Sequence, residues 1–158
     1  MTGLIPVSSS IFLAVISTLS LPISFVKLWK CISSWIANVA KKYNLIVLSD
    51  EIYSELSFES NYKSISNYCP EKTIISNGLS KWCGAGGWRL GYFIIPESLN
   101  KIKETINVLA SETFSAVSAP IQYAAIKAYE NDHSNYITKS INILNAVGKY
   151  VFLNLKSN

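Results

Sequence analysis

The sequence is short of arginine, histidine and charge in general. Its 158 residues include a single arginine, Arg89, and a single histidine, His133, and charged residues make up only 15%. The net charge of +4 comes from dispersed lysines, and no basic run alternates with aromatic residues, so we expect no nucleic-acid-binding surface. Hydrophobic residues make up 49% of the chain, which is enough to bury the core of one domain.

Cysteine is also scarce and is not arranged in pairs. Cys31, Cys69 and Cys83 are odd in number and form no C-x-x-C motif. This pattern argues against a disulfide framework and favours a reducing compartment, so we predict a cytoplasmic protein. We expect no metal site.

Residues 1–26 contain no charged side chain. The segment is long enough to cross a bilayer, but no positive charge precedes it, as a secretory signal would require, and Pro6 and Pro22 weaken a membrane-spanning interpretation. Three interpretations of residues 1–30 stay open: an apolar leader unrelated to the fold, a membrane or targeting segment, or a core helix.

The first regular elements end at an acidic residue. Helical spacing of apolar residues predicts a helix from a cap at Ser33 or Ser34 to about Tyr43. The apolar run 45–48 is typical of a buried parallel strand, and Asp50 follows it. A carboxylate at the carboxyl end of a parallel strand lies where α/β sheets bind ligands, although a turn or helix cap is the alternative role.

The rest of the chain continues as strands and then helices. Short strands are predicted at 73–76 and 89–95, and a loop at 111–115. The apolar spacing predicts three helices: from 96 to about 110, from 119 to the polar turn at 131–134, and from 136 to 155.

The stretch 76–91, SNGLSKWCGAGGWRLG, lies between two predicted strands and carries most of the chemistry. Lys81 is a candidate nucleophile that can form a Schiff base with an aldehyde. Arg89 and the Ser80 hydroxyl suit a phosphate, and glycines let backbone N–H groups approach an anion. The combination predicts a ligand with both an aldehyde and a phosphate. The alternatives are a surface loop with an incidental lysine, or a dinucleotide loop, which a helix and not a strand should follow.

Segments 78–81, 84–85 and 87–91 closely resemble the lysine signature of class I/II aminotransferases. These are fold-type I pyridoxal-phosphate (PLP) enzymes related to aspartate aminotransferase. The segment 50–53, Asp-Glu-Ile-Tyr, resembles a second signature of the family. The resemblance implies an α/β fold that is part of the PLP-transferase fold: a large cofactor-binding domain with a mixed, mainly parallel sheet flanked by helices, followed by a helical C-terminal part.

The resemblance also implies a role for each signature residue. Lys81 would hold pyridoxal 5'-phosphate as a Schiff base, and Asp50 would pair with the pyridine nitrogen. Tyr53 would hydrogen-bond the ring oxygen, and Ser80 and Arg89 would bind the phosphate. Many relatives carry a second phosphate-binding hydroxyl where this chain has a glycine, two residues before Ser80.

Domain organisation and partners follow from the same resemblance. Residues 31–118 would be part of the large PLP-binding domain, and 119–158 a helical connection toward a small domain that the chain does not complete. The implied substrates are an amino acid and a 2-oxo acid, and a homodimer is implied.

Two alternative functions remain. One is a truncated, inactive relative, because the upstream Asn, the N-terminal phosphate loop and a second arginine for the substrate carboxylate are missing. The other is a membrane-anchored interaction protein that uses residues 1–26.

Overall fold

The computed structural model describes residues 24–58 and 62–156. Most of the segment 1–30, on which the leader and membrane interpretations depend, therefore lies outside the described residues. Four α-helices and three strands follow one another in the order α1 (Ser24–Lys42), β1 (Val47–Asp50), β2 (Thr73–Gly78), β3 (Gly91–Ile94), α2 (Asn100–Thr113), α3 (Ala119–Glu130) and α4 (Ser134–Lys156).

The strands form one mixed sheet in the order β1-β2-β3. β1 and β2 are parallel, with Asp50 beside Ser76, and β2 and β3 are antiparallel, with Gly78 beside Gly91. The carboxyl ends of β1 and β2 therefore lie at the same edge of the sheet. This arrangement confirms the α/β fold with a mixed sheet and helices.

Helix α1 begins earlier than the sequence pattern predicted. The proposed caps Ser33 and Ser34 lie inside the helix, and Ser33 is fully buried with no hydrogen-bond partner for its hydroxyl. No glycine or proline occurs between positions 24 and 33, so nothing local stops the helix there. Its predicted end is confirmed: Asn44 adopts a left-handed φ of 54°, and the Leu45 N–H donates to the Ala40 carbonyl at 2.8 Å.

Helix α2 continues into the segment that was predicted to be a loop. Ser111 and Thr113 lie within the helix. Their hydroxyls donate to the carbonyls of Val108 and Leu109, one turn back, at 2.8 Å in each case. The chain leaves the helix at Ser115, which has a φ of 64°.

Two groups of buried residues form the core. The first, here called the α1 cluster, joins helix α1, strand β1 and the β1–β2 connection; its members are Ala37, Ala40, Val47, Ile65 and Cys69. The second, the lysine-loop cluster, joins the β2–β3 loop to helix α3; its members are Leu56, Leu79, Trp82 and Ala125. All three cysteines are free thiols.

No helix in the described part of the chain combines the length and the apolar character needed to cross a membrane. Within residues 24–58 and 62–156, no group of three or more His, Cys, Asp or Glu side chains is arranged to hold a metal ion.

Candidate functional site

Asp50 ends β1 and is held by the neighbouring strand. Its carboxylate accepts hydrogen bonds from the Ser76 hydroxyl at 3.2 Å and from the Ile52 N–H at 3.3 Å. The N–H of the next residue, Glu51, donates to the Ser76 carbonyl at 2.9 Å. Ser76 therefore contacts both the Asp50 side chain and the backbone that follows it, which fixes the acid at the end of the strand pair.

Tyr53 and Lys81, which are far apart in sequence, meet in the structure. The Lys81 Nζ lies 5.5 Å from the centroid of the Tyr53 ring, within the range of a cation–π contact. Asn77 connects the same two segments, since its Nδ2 donates to the Ser54 hydroxyl at 3.5 Å. The turn after β1 and the loop after β2 thus form one continuous surface that carries Tyr53 and Lys81.

Gly78 allows the chain to pass closely beside β3 as it enters the β2–β3 loop, residues 79–90, here called the lysine loop. The Leu79 N–H donates to the Leu90 carbonyl at 3.3 Å, and a Cβ on Gly78 would lie only 2.6 Å from that carbonyl oxygen. A side chain cannot be accommodated there without moving the backbone. The missing second hydroxyl at this position therefore has a structural reason in this chain.

Gly86 lies next to both Ser80 and Arg89. The Arg89 Nη1 donates to the Gly86 carbonyl at 2.9 Å, and a Cβ on Gly86 would lie 3.6 Å from the Ser80 carbonyl oxygen. Arg89 itself adopts a left-handed φ of 57° at the end of the 3-10 turn Gly86–Trp88. Because of this turn β3 starts at Gly91, so the strand predicted over 89–95 was two residues too long at its start.

Trp82, the residue after Lys81, anchors the lysine loop in the core. It is only 5% exposed, and its ring lies 5.5 Å from that of Tyr129 and 5.8 Å from that of His133. Tyr129 also donates a hydrogen bond to the Tyr92 hydroxyl at 3.1 Å. Burial raises the pKa of Tyr92. The sequence pattern did not predict this packing, because its members come from three separate segments.

Glu51 is the second feature that sequence reasoning missed. It is 5% exposed and accepts hydrogen bonds from the hydroxyls of Ser49 at 3.0 Å and Ser64 at 2.5 Å. Burial, followed by the charge of Glu51, raises the pKa of Tyr62. A signal for its burial was present in the sequence. Val47 and Ser49 of β1 are buried, and the same alternation continued past Asp50 places Glu51 on the buried side.

The model of the family "Aminotransferase class I and II" matches residues 34–158. The chain belongs to this family. A relative from Bacillus subtilis, described as a probable N-acetyl-LL-diaminopimelate aminotransferase, is 40% identical over 96 residues, which is 61% of this chain and 24% of the relative.

Solved structures agree with this assignment. Aspartate aminotransferase from Thermotoga maritima superposes with a TM-score of 0.68 at 30% identity, covering 76% of this chain and 32% of that one. An aromatic aminotransferase from Pyrococcus horikoshii gives a TM-score of 0.72 at 27% identity, with 81% and 35% covered. The chain thus has the fold of part of an aminotransferase, and spans about a quarter of the length of the curated relatives it matches.

Proposed function

We propose that this chain carries the lysine side of a PLP-dependent aminotransferase site, with Lys81 as the residue that bonds the cofactor. The observation that supports this most directly is the distance of 5.5 Å between the Lys81 Nζ and the centroid of the Tyr53 ring. Tyr53 lies three residues after Asp50, whose strand is paired with the strand that leads to Lys81. One small ring can therefore contact groups from both strand ends.

The chemistry of the donor set fits pyridoxal phosphate. The cofactor has an aldehyde, a basic ring nitrogen, a ring oxygen and a phosphate, which call for an amine, an acid, a hydroxyl donor and a cationic donor set respectively. This chain offers one candidate or more for each: Lys81, Asp50, Tyr53, and the pair Ser80 and Arg89. The absence of a Cβ on Gly86 keeps the backbone open beside Ser80.

Each residue has a defined task in the proposed reaction. When bound, pyridoxal phosphate supplies an aldehyde that captures amines and a ring that accepts electrons from a breaking C–H bond. The Lys81 Nζ would take the proton from the substrate α-carbon as general base and would deliver it to the former aldehyde carbon of the cofactor as general acid. The Asp50 carboxylate would hold a proton at the ring nitrogen, and the Tyr53 hydroxyl would donate to the ring oxygen.

Phosphate binding would fall to Ser80 and Arg89. A guanidinium has five N–H donors, of which Arg89 directs one to the Gly86 carbonyl in this structure. The other edge of its planar fork suits two phosphate oxygens, a geometry that lysine does not reproduce.

For the whole protein we propose transfer of an amino group between an amino acid and a 2-oxo acid. Residues 31–118 would belong to the cofactor-binding domain and 119–158 to a helical connection. A homodimer and a cytoplasmic location complete this proposal, in line with the family membership.

The test is covalent capture of pyridoxal phosphate by the purified chain. We expect an absorbance band of the protein-bound cofactor that borohydride converts to a stable adduct, with Lys81 as the modified residue in peptide mass spectrometry. Lys81→Ala should abolish the band. Lys101→Ala is the matched control, since Lys101 is an exposed lysine on α2 and reports non-specific reaction with surface amines.

If Lys81→Ala and the parent chain show the same band and the same labelled peptides, the proposal is wrong. Turnover is a separate measurement, made with a panel of amino acids and 2-oxoglutarate. Lys81-dependent capture without turnover would support the alternative that this chain, by itself, is an inactive relative.

A further inference from the structure

The buried carboxylate of Glu51 lies beside the candidate cofactor acid but has no role in the proposed reaction. Its hydrogen-bond partners come from two segments: Ser49 from β1, and Ser64 from the connection between β1 and β2. Tyr62 of the same connection feels the charge of Glu51, which, after burial, raises the pKa of Tyr62. Because the single proton of the Ser64 hydroxyl is given to Glu51, the short contact of 2.7 Å to Ser66 makes the Ser66 hydroxyl the donor there. The Ser66 N–H also donates to Ser64, at 3.1 Å.

This arrangement ties the end of β1 to two other segments of the chain. Glu51 directly follows β1, and its carboxylate contacts the Ser49 hydroxyl, whereas the carboxylate of Asp50, between them, contacts the Ser76 hydroxyl of β2. The Glu51 N–H donates to the Ser76 carbonyl, and the Ser76 hydroxyl donates to Asp50. A movement of Glu51 would therefore shift the peptide that carries Asp50 relative to its partner Ser76.

We propose that Glu51 is a positioning residue for Asp50: its contacts with the hydroxyls of Ser49 and Ser64 hold the end of β1 so that the Asp50 carboxylate stays beside Ser76. That the position of Asp50 matters for a bound cofactor rests on the proposed function. A buried carboxylate that accepts several hydrogen bonds holds its position firmly. A displacement would leave its donors unpaired away from water, which costs free energy.

The composition of the chain offers a direct measurement. It contains only two aspartates, Asp50 and Asp132, so ¹³C labelling of the aspartate side-chain carboxyl gives two NMR signals, and Asp132→Asn assigns them. We expect Glu51→Gln to move and broaden the Asp50 signal at neutral pH. The matched control is Glu55→Gln, which removes an exposed carboxylate four residues away and should leave the signal in place.

A second variant separates position from charge. Ser64→Ala removes one donor to Glu51 without changing any charge, and we expect it to shift the Asp50 signal in the same direction but less. An unchanged signal in Glu51→Gln overturns the inference. A shift in Glu51→Gln with none in Ser64→Ala also overturns it, since the effect would then be one of charge alone.

A cofactor-capture assay distinguishes failure of this inference from failure of the proposed function. If the parent chain captures pyridoxal phosphate through Lys81, Glu51→Gln should retain the Lys81 label but bind the cofactor severalfold more weakly, with Glu55→Gln unaffected. Equal binding by Glu51→Gln and the parent overturns the positioning role while the proposed function stands. If the parent captures no cofactor, the proposed function fails, and the NMR signal of Asp50 still decides whether Glu51 positions it.

Discussion

The two core clusters stabilise the two halves of the candidate site in different ways. The α1 cluster includes Val47 of β1, the strand that ends at Asp50, and draws only on residues between positions 37 and 69. The lysine-loop cluster brings together positions as distant as 56 and 125, with residues 137 and 141 of α4 packed against it. The comparison teaches that the placement of the acid depends on nearby sequence, whereas the placement of Lys81 depends on helices that follow much later.

The largest expected effect comes from breaking the lysine-loop cluster at Trp82. Trp82→Ala removes a buried ring next to Lys81 and should lower the free energy of unfolding by about 3–5 kcal/mol. Urea unfolding measures this loss, and Lys81 should also lose selectivity in pyridoxal-phosphate labelling. The control is Trp88→Ala: Trp88 is 65% exposed, so its loss should change stability by no more than about 0.5 kcal/mol.

The α1 cluster is tested at Ile65, which is almost fully buried. Ile65→Ala should lower the free energy of unfolding by about 2–4 kcal/mol. Under conditions in which this variant remains folded, we expect selective labelling of Lys81 to persist, because the hydrophobic residues packed against this cluster are Ile36, Leu45 and Tyr68, which lie outside the lysine loop. If Ile65→Ala and Trp82→Ala disturb Lys81 labelling equally, the distinction between the two clusters is wrong.

Gly78 tests the close passage of the chain at the start of the lysine loop. Gly78→Ala would put a methyl group 2.6 Å from the Leu90 carbonyl oxygen and should cost about 1–3 kcal/mol through backbone displacement. Gly87→Ala is the matched control in the same loop, because a Cβ there meets no atom within 4 Å. Similar melting temperatures for the two variants would contradict the steric argument.

A smaller effect is expected from tyrosine ionisation at high pH. Burial raises the pKa of Tyr62 in the folded chain, so below pH 10 the tyrosine is protonated in both states and its contribution is fully present. Above pH 10 the unfolded state loses the proton first, and the free energy of unfolding falls as pH rises. Tyr62→Phe should reduce this alkaline loss, as measured by urea unfolding between pH 9 and pH 11. An identical pH profile for Tyr62→Phe would contradict the raised pKa that burial gives Tyr62.

The smallest effect is expected at Asp132, which is fully exposed at the start of α4. The Ser134 N–H donates to its carboxylate at 2.8 Å, and this hydrogen bond lowers the pKa of Asp132. The contribution of Asp132 to the free energy of unfolding is therefore present above the pKa of the unfolded state and is lost as pH falls through the pKa of the folded state. Asp132→Ala should lower the melting temperature slightly at pH 7 and hardly at all at pH 3; a larger loss at pH 3 would contradict this assignment.

Much of the fold could be predicted because its signals are local. The run before Asp50 predicts a buried strand, Asn44 favours the end of a helix, and Pro96 and the polar turn at 131–134 separate helices. The start of α1 could not be predicted from Ser33, since a serine in a helix-compatible segment is equally consistent with an interior position. Arg89 was assigned to a strand because its left-handed φ depends on the preceding turn and not on its own propensity.

The linear order of residues was enough to predict the family and to name candidate groups: one amine, one strand-end acid, one arginine and glycines between them, all within two short signatures. Chain folding decided which of these groups are neighbours and what supports them. The contact of Lys81 with Tyr53, the burial of Trp82 against α3 and the hydroxyl contacts of Glu51 all join segments that are separated in sequence. Their geometry depends on strand pairing and helix packing, which bring distant residues together, and no local pattern encodes those distances.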